Sequence, residues 1–202
     1  TRQTADVDTD ANGTPDLMGA TVDEVALRLT GARVYVDGVA DLTVSGALAV
    51  ARVTPAAGTA ARYTALKMGD VTVTVRAQPS GDFGLTGTLA IKSLNLNNAA
   101  VGFARLNWAR AFDFNADHTP DLLNPGAALP TPADLTIAFA SSLQLSVTGS
   151  VEGTGSVTYG STTVTGVLLT AGPVAIAGTA EFALTRQTAD VDTDANGTPD
   201  LM

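Results

Sequence analysis

The sequence contains no cysteine, one histidine and few aromatic residues. Without cysteine, disulfide bonds, thiol catalysis and zinc–thiolate sites are excluded. Aromatic residues make up 5% of the chain although 45% of it is apolar, so the core must consist mainly of Val, Leu, Ala and Thr. This apolar content is typical of folded chains rather than disordered ones.

Basic residues are also scarce, with 11 Lys and Arg against 20 Asp and Glu and a net charge of −9. Because nucleic acid is bound by basic surfaces, we expect no nucleic acid partner, and divalent cations are better candidate ligands. No apolar run reaches the roughly 18 residues of a membrane-spanning helix, so we expect no membrane insertion of this segment.

One stretch of the sequence occurs twice. Residues 1–18 and 185–202 both read TRQTADVDTDANGTPDLM. Their offset, 185 − 1 = 184, is long for one turn of a solenoid and suits a tandem array of domains. We therefore predict that the partners of this unit are neighbouring copies of the same repeat, in the same chain or in a homopolymer.

Between the two copies, apolar and polar residues alternate with the period of two expected of strands. We predict strands over Val22–Val36, Asp41–Thr54, Tyr63–Arg76, Phe83–Asn97 and Ala100–Phe112, and over most of Asp134–Arg186. No helix is indicated. The predicted fold is an all-β, antiparallel, β-rich tandem repeat forming an elongated rod or filament, and the pattern does not distinguish a sandwich from a barrel or a solenoid.

Each copy of the repeated stretch carries oxygen-bearing side chains at alternate positions, a spacing that lets them converge on one cation. Gly13 permits the positive φ that turns the chain, and the order of ligands is that of positions 1, 3, 5, 7 and 9 of an EF-hand loop. We predict Ca²⁺ as the cofactor, bound in the first copy by Asp8, Asp10, Asn12, Thr14 and Asp16.

Two further loops follow the same pattern. The last copy supplies Asp192, Asp194, Asn196, Thr198 and Asp200. Alignment of Thr119–Leu122 with Thr14–Leu17 identifies a divergent middle copy, whose predicted ligands are Asp113, Asn115, Asp117 and Asp121. In the middle copy His118 replaces the glycine, a position that does not suggest catalysis.

The first loop departs from the EF-hand at position 12, where Gly19 stands in place of the bidentate Glu. Asp6 is a candidate to supply the missing ligand. The alternative interpretation is an Asp- and Asn-rich turn that is held by side-chain hydrogen bonds and binds no metal.

The loops divide the chain into five segments. Residues 1–18 form the first loop and junction, 19–112 the first β half-unit, 113–124 the second loop, 125–184 the second β half-unit and 185–202 the start of the next repeat. Calcium loops are thus expected at the unit junctions. Residues Pro125–Pro132 are predicted to be a linker.

Three phrases carry a family resemblance: the DVDTDANGTPDL loop, ARYTALK at Ala61–Lys67, and LNWARAFDFNADHTPDLLNPGAALPTPADL at Leu106–Leu135. They resemble repeats of giant bacterial surface proteins of the LEPR-XLL type, over most of the 184-residue unit. The loops are similar to the short DxDxDG loops of thrombospondin type 3 repeats and dockerin modules. The resemblance implies an extracellular or cell-surface array whose joints are stiffened by calcium.

We therefore expect a structural component of an extracellular or cell-surface fibre. The alternative is an adhesin module that binds glycan or protein, which would need exposed aromatic residues such as Trp108, Tyr63 or Tyr159. Trp108 is otherwise expected in the core. The sequence shows no nucleophile–base pair, phosphate loop or carboxylate dyad, so no enzyme is predicted.

Overall fold

The computed structural model describes residues 1–36, 40–77, 84–85, 87–115, 117, 119–193 and 198–199. These residues form eleven strands and one short 3-10 helix, with no α-helix among them, and all strand pairs are antiparallel. The all-β prediction is confirmed. In this part of the chain, no helix has the length and hydropathy needed to cross a membrane.

The strands are β1 (Arg2–Val7), β2 (Leu17–Val36), β3 (Ala40–Thr54), β4 (Tyr63–Ala77), β5 (Gly84–Leu85), β6 (Thr88–Ala99), β7 (Leu143–Glu152), β8 (Gly155–Tyr159), β9 (Thr162–Ala171), β10 (Val174–Ala177) and β11 (Thr179–Gln187). The main sheet has the order β1-β2-β3-β4-β6-β7-β11, so β1 and β11 are its edges. A second sheet has the order β10-β9-β5, and β8 also pairs with β9.

One face of the main sheet carries mostly small buried side chains, which are Ala20, Val22, Ala47, Ala49, Ala51, Val53, Tyr63 and Ala65. Residues 100–142, which we call the cover segment, pack on this face with larger buried side chains: Leu106, Trp108, Phe112, Leu123, Leu135, Ile137 and Phe139. The small residues of the sheet leave room for the large ones of the cover, which is how a chain with few aromatic residues reaches close packing.

Two predicted strands, Ala100–Phe112 and the one that begins the Asp134–Arg186 region, are wrong. The described residues of the cover segment make only isolated bridges, Val7 with Phe112 and Leu123 with Ile137. Its alternating pattern arises because every second side chain enters the core, while the backbone between them joins no ladder.

A buried asparagine joins the cover segment to the sheet. Asn97 on β6 donates from Nδ2 to the carbonyls of Leu106 at 2.9 Å and Ala140 at 3.1 Å, and its Oδ1 accepts from Trp108 Nε1 at 2.9 Å. Trp108 is fully buried, so its expected place in the core is confirmed, and it is not the exposed aromatic residue that an adhesin would need.

The segment predicted as a linker begins with the 3-10 helix Pro125–Ala128, which packs on β2 and β3. Pro125 and Gly126 are buried there. A β-carbon at Gly126 would lie 2.2 Å from the carbonyl oxygen of Ala133, so only glycine fits this position. This part of the chain therefore belongs to the core that the cover segment builds on the main sheet.

Candidate metal centre

The first loop connects the edge strand β1 to β2. The N–H of Asp16 donates to the carbonyl of Val7 at 2.9 Å and closes the loop at its base. Within it, Gly13 has φ of +89° and Ala11 has φ of +62°. Two left-handed residues so close together turn the backbone sharply within the loop.

Three carboxylates of this loop converge. Asp8, Asp10 and Asp16 each place one oxygen within 4.8 Å of the others. Asp8 is 8% exposed, whereas Asp10 and Asp16 lie open to solvent. Such a group of hard oxygen ligands could hold a metal ion, and it is the only group of three metal-ligating acids, histidines or cysteines among the described residues.

Backbone N–H groups hold these carboxylates in place. Asp8 accepts from the N–H of Asn12 at 3.2 Å and of Gly13 at 2.7 Å. Asp16 Oδ2 accepts from both the N–H and the hydroxyl of Thr9, each at 2.7 Å. The two Thr9 donors hold the pKa of the Asp16 carboxyl below its usual range, which favours the charged form that a cation requires.

Asn12 makes the hydrogen bonds of an Asx turn. Its Oδ1 accepts from the N–H of Thr14 at 2.8 Å, and its Nδ2 donates to Asp10 at 2.9 Å. These are the bonds expected if the loop is a turn that binds no metal. They are compatible with a bound cation as well, because each carboxylate oxygen has a second lone pair.

The missing twelfth ligand has a structural explanation. Gly19 has φ of +63° and lies where the β1–β2 register shifts, between Ala5 and Val7. Its N–H donates to Asp6 Oδ1 at 2.7 Å. Position 12 of the loop therefore lies at a backbone irregularity whose positive φ favours glycine. The Asp6 carboxylate stabilises this irregularity through its hydrogen bond to the N–H of Gly19.

The middle loop repeats this hydrogen bonding at a constant offset of 113 − 8 = 105 residues. The N–H of Asp121 donates to Phe112, that of Phe114 to Asp121, that of Asp117 to Asp113, and that of Thr119 to Asp117, at 2.7, 2.7, 3.2 and 2.8 Å. Each bond has its counterpart in the first loop. The alignment of the two loops therefore reflects a common backbone geometry.

The two loops lie side by side. Val7 and Phe112 occupy equivalent positions, 105 residues apart, and form an antiparallel bridge with each other. An antiparallel bridge between equivalent residues relates their two loops by a local two-fold axis. A cleft of about 330 Å³ lies between the loops, lined on one side by Asp6 and Asp8 and on the other by Arg110 and Asp113.

The loops differ in their acids. Asn115 stands in the middle loop where the first loop has Asp10, and Asp117 stands where it has Asn12, so a carboxylate and an amide have exchanged positions. Thr9, whose role sequence reasoning missed, is replaced by Phe114, which has only its N–H to donate. A hydroxyl residue directly after the first aspartate is the signal that could have identified this donor.

The last loop is described in part. Asp192 is half-buried and Thr198 is exposed, whereas Asp194, Asn196 and Asp200 lie outside the described residues, as does His118 of the middle loop. The first copy is therefore the one in which the whole set of predicted ligands can be placed.

No known protein family, curated protein or solved structure matches this chain. Its function is therefore inferred from the loops and the sheet.

Proposed function

We propose that this chain is a structural repeat of an extracellular or cell-surface fibre, stiffened by Ca²⁺ at its loops. The observation that carries the proposal is the convergence of Asp8, Asp10 and Asp16 within 4.8 Å at the base of an edge strand. In this proposal the protein is not an enzyme, and the ion fixes how β1 sits against the rest of the sheet.

The physical basis is electrostatic. Two carboxylate oxygens within 4.8 Å of each other repel by roughly 1–3 kcal/mol or more per pair at effective dielectric constants between those of water and a protein surface. A divalent cation replaces this repulsion with attraction and links both ends of the loop. Oxygen ligands in an irregular loop suit Ca²⁺, which accepts variable coordination, better than Mg²⁺, which demands near-ideal octahedral geometry.

The adhesin alternative is less well supported. It needs exposed aromatic residues, but Trp108 is fully buried and Tyr63 is 4% exposed. Tyr159 is half-buried on β8, and its hydroxyl donates to the carbonyl of Gly172 at 3.2 Å. Of the three candidate aromatic residues, two thus serve the core.

The test is thermal unfolding of the chain in Ca²⁺ and in EDTA. A free Ca²⁺ concentration of 100 times Kd should stabilise the fold by about 2.7 kcal/mol, which raises Tm by roughly 5–10 °C for a chain of this size. Asp8→Asn should lose most of this rise. Glu181→Gln, which removes the same charge from β11, should keep it.

Electron microscopy of a chain with two repeats tests the fibre directly, since rods that are straight in Ca²⁺ should bend in EDTA. An equal Tm and an equal shape in Ca²⁺ and EDTA would contradict the proposal and leave the loops as Asx turns.

A further inference from the structure

We propose that one strand is shared between consecutive repeats, so that β11 of one unit is also β1 of the next and the main sheet runs on without a break. The partner that this edge fits is a second copy of the same repeat. The inference rests on the proposed function only in assuming that repeats occur in tandem.

The repeated stretch begins within one edge strand of the main sheet and forms the other. Thr185, Arg186 and Gln187 at the end of β11 are the repeats of Thr1, Arg2 and Gln3 at the start of the chain, because 185 − 184 = 1. Six antiparallel steps lead from β1 to β11, so both strands run in the same direction. A sheet whose two edges match in sequence and direction can be extended by superimposing them.

The two copies use opposite edges of the strand. In the first copy, Thr1 and Glu24 exchange backbone hydrogen bonds of 2.7 and 2.9 Å. Backbone groups of successive residues point to opposite edges of a strand, so those of Thr4, three residues after Thr1, point away from β2. In the second copy, Thr188, the repeat of Thr4, donates its N–H to Ser142 at 3.0 Å, beside β7. One strand can therefore pair with β7 of its own unit and with β2 of the next.

Side-chain burial shows what the second copy lacks. Val7 is fully buried against the core, whereas Val191, the same residue of the repeat, is 45% exposed. Ala5 is buried and Ala189 is exposed. A following β2 and cover segment would bury Val191 and Ala189 as they bury Val7 and Ala5.

An apolar row continues across the proposed joint. On the face of the main sheet opposite the cover segment, successive cross-strand partners are Leu27, Leu48, Met68, Leu94, Val147 and Leu184. Extending the β1–β2 register by one residue beyond Thr1 places Leu184 of the preceding repeat opposite Val25. These two side chains are 56% and 53% exposed, and the joint would bring them into contact.

The shared strand fixes the dimensions of the fibre. Each repeat contributes six strands, since β11 counts as the first strand of the next. At about 4.8 Å between strands, one repeat advances the sheet by roughly 29 Å along its hydrogen-bonding direction.

The absence of cysteine allows a direct cross-linking test on the full chain preceded by one more copy of residues 1–184. The first pair, Thr185→Cys with Ser146→Cys of the same unit, spans β11 and β7. The second pair, Arg186→Cys with Asp23→Cys of the following unit, copies the Arg2–Asp23 register. Both pairs occupy non-hydrogen-bonded positions, where the β-carbons of antiparallel strands approach most closely.

We expect both disulfides in the same molecule, seen by mass spectrometry of a non-reduced digest as three peptides joined at residues 185 and 186. Finding only one of the two pairs oxidised in each molecule would overturn the shared strand. Thr185→Cys with Ser161→Cys, an exposed turn residue without a cross-strand relation to β11, is the control that should stay reduced.

A second measurement avoids introduced cysteines. Val191→Ala at the internal joint of the two-repeat chain should lower Tm by as much as Val7→Ala, and an unchanged Tm would overturn the proposal. These results are separable from the calcium test. Both disulfides without a Ca²⁺ effect would reject the stiffening role alone, whereas Ca²⁺-stiffened rods with one disulfide would reject the shared strand alone.

Discussion

The first and last copies of the repeated stretch have the same sequence but different surroundings. Residues Arg2–Val7 pair with β2 as the edge strand of the main sheet. In the last copy, Thr185–Gln187, the repeats of Thr1–Gln3, instead end β11 and pair with β7. Val7 is consequently buried, and Val191 is not. The same sequence can therefore pair along either edge of its strand, and residues distant in the chain decide which edge is used.

The largest expected difference between the copies is at this valine. Val7→Ala should destabilise the chain by about 2 kcal/mol, roughly 4–8 °C in Tm, because it removes two buried methyl groups and leaves a cavity. In the same 202-residue chain, where no repeat is joined to β11, Val191→Ala should cost less than about 0.5 kcal/mol, since its side chain is 45% exposed. Thermal unfolding of the two variants measures both values, and equal costs would show that the copies have equal surroundings.

Substitutions in the first loop should change the stability less than the substitution of Val7 in the strand before it. Gly13→Ala should cost about 1 kcal/mol, because φ is +89° there while the space for a β-carbon is open. The cost is thus conformational rather than steric. Ala11→Gly is the matched control: its φ of +62° is already left-handed, so glycine should relieve strain and stabilise the loop by up to about 1 kcal/mol. Denaturant unfolding measures both, and a destabilising Ala11→Gly would contradict this account.

The long strands and the first loop, whose ligands are close in sequence, could be predicted from the sequence. The predicted Asp41–Thr54 and Tyr63–Arg76 match β3 and β4 within one residue, because a period of two sustained over many residues is characteristic of strands. The Asp8, Asp10 and Asp16 cluster was also readable, since its ligands lie within nine residues and need no distant partner.

Features that depend on contacts between distant residues could not be predicted from the sequence. The alternation in Ala100–Phe112 reports burial of Leu106 and Trp108 rather than strand pairing, and the two cannot be told apart without the sheet beneath. The bridge between Val7 and Phe112, which sets the first and middle loops side by side, joins residues 105 positions apart. No local spacing encodes such a contact.

The smallest expected effect concerns Thr9, which distinguishes the first loop from the middle one. Its hydroxyl and N–H lower the pKa of Asp16, so the folded state holds this proton less tightly than the unfolded state does. The resulting stability is present above the ordinary aspartate pKa of about 4 and is lost as pH falls through the lower folded-state value.

Thr9→Val removes the hydroxyl donor and keeps the N–H, so the pKa of Asp16 should rise part of the way to its usual range, whereas Thr9→Ser should leave it low. An NMR titration of the Asp16 carboxyl carbon measures this directly. Asp134 is the internal reference, because Thr136 lowers its pKa through the same two donors. If the pKa of Asp16 stays unchanged in Thr9→Val, the hydroxyl bond is not what holds Asp16 charged. The N–H of residue 9 would then be the donor that matters, as the N–H of Phe114 is in the middle loop.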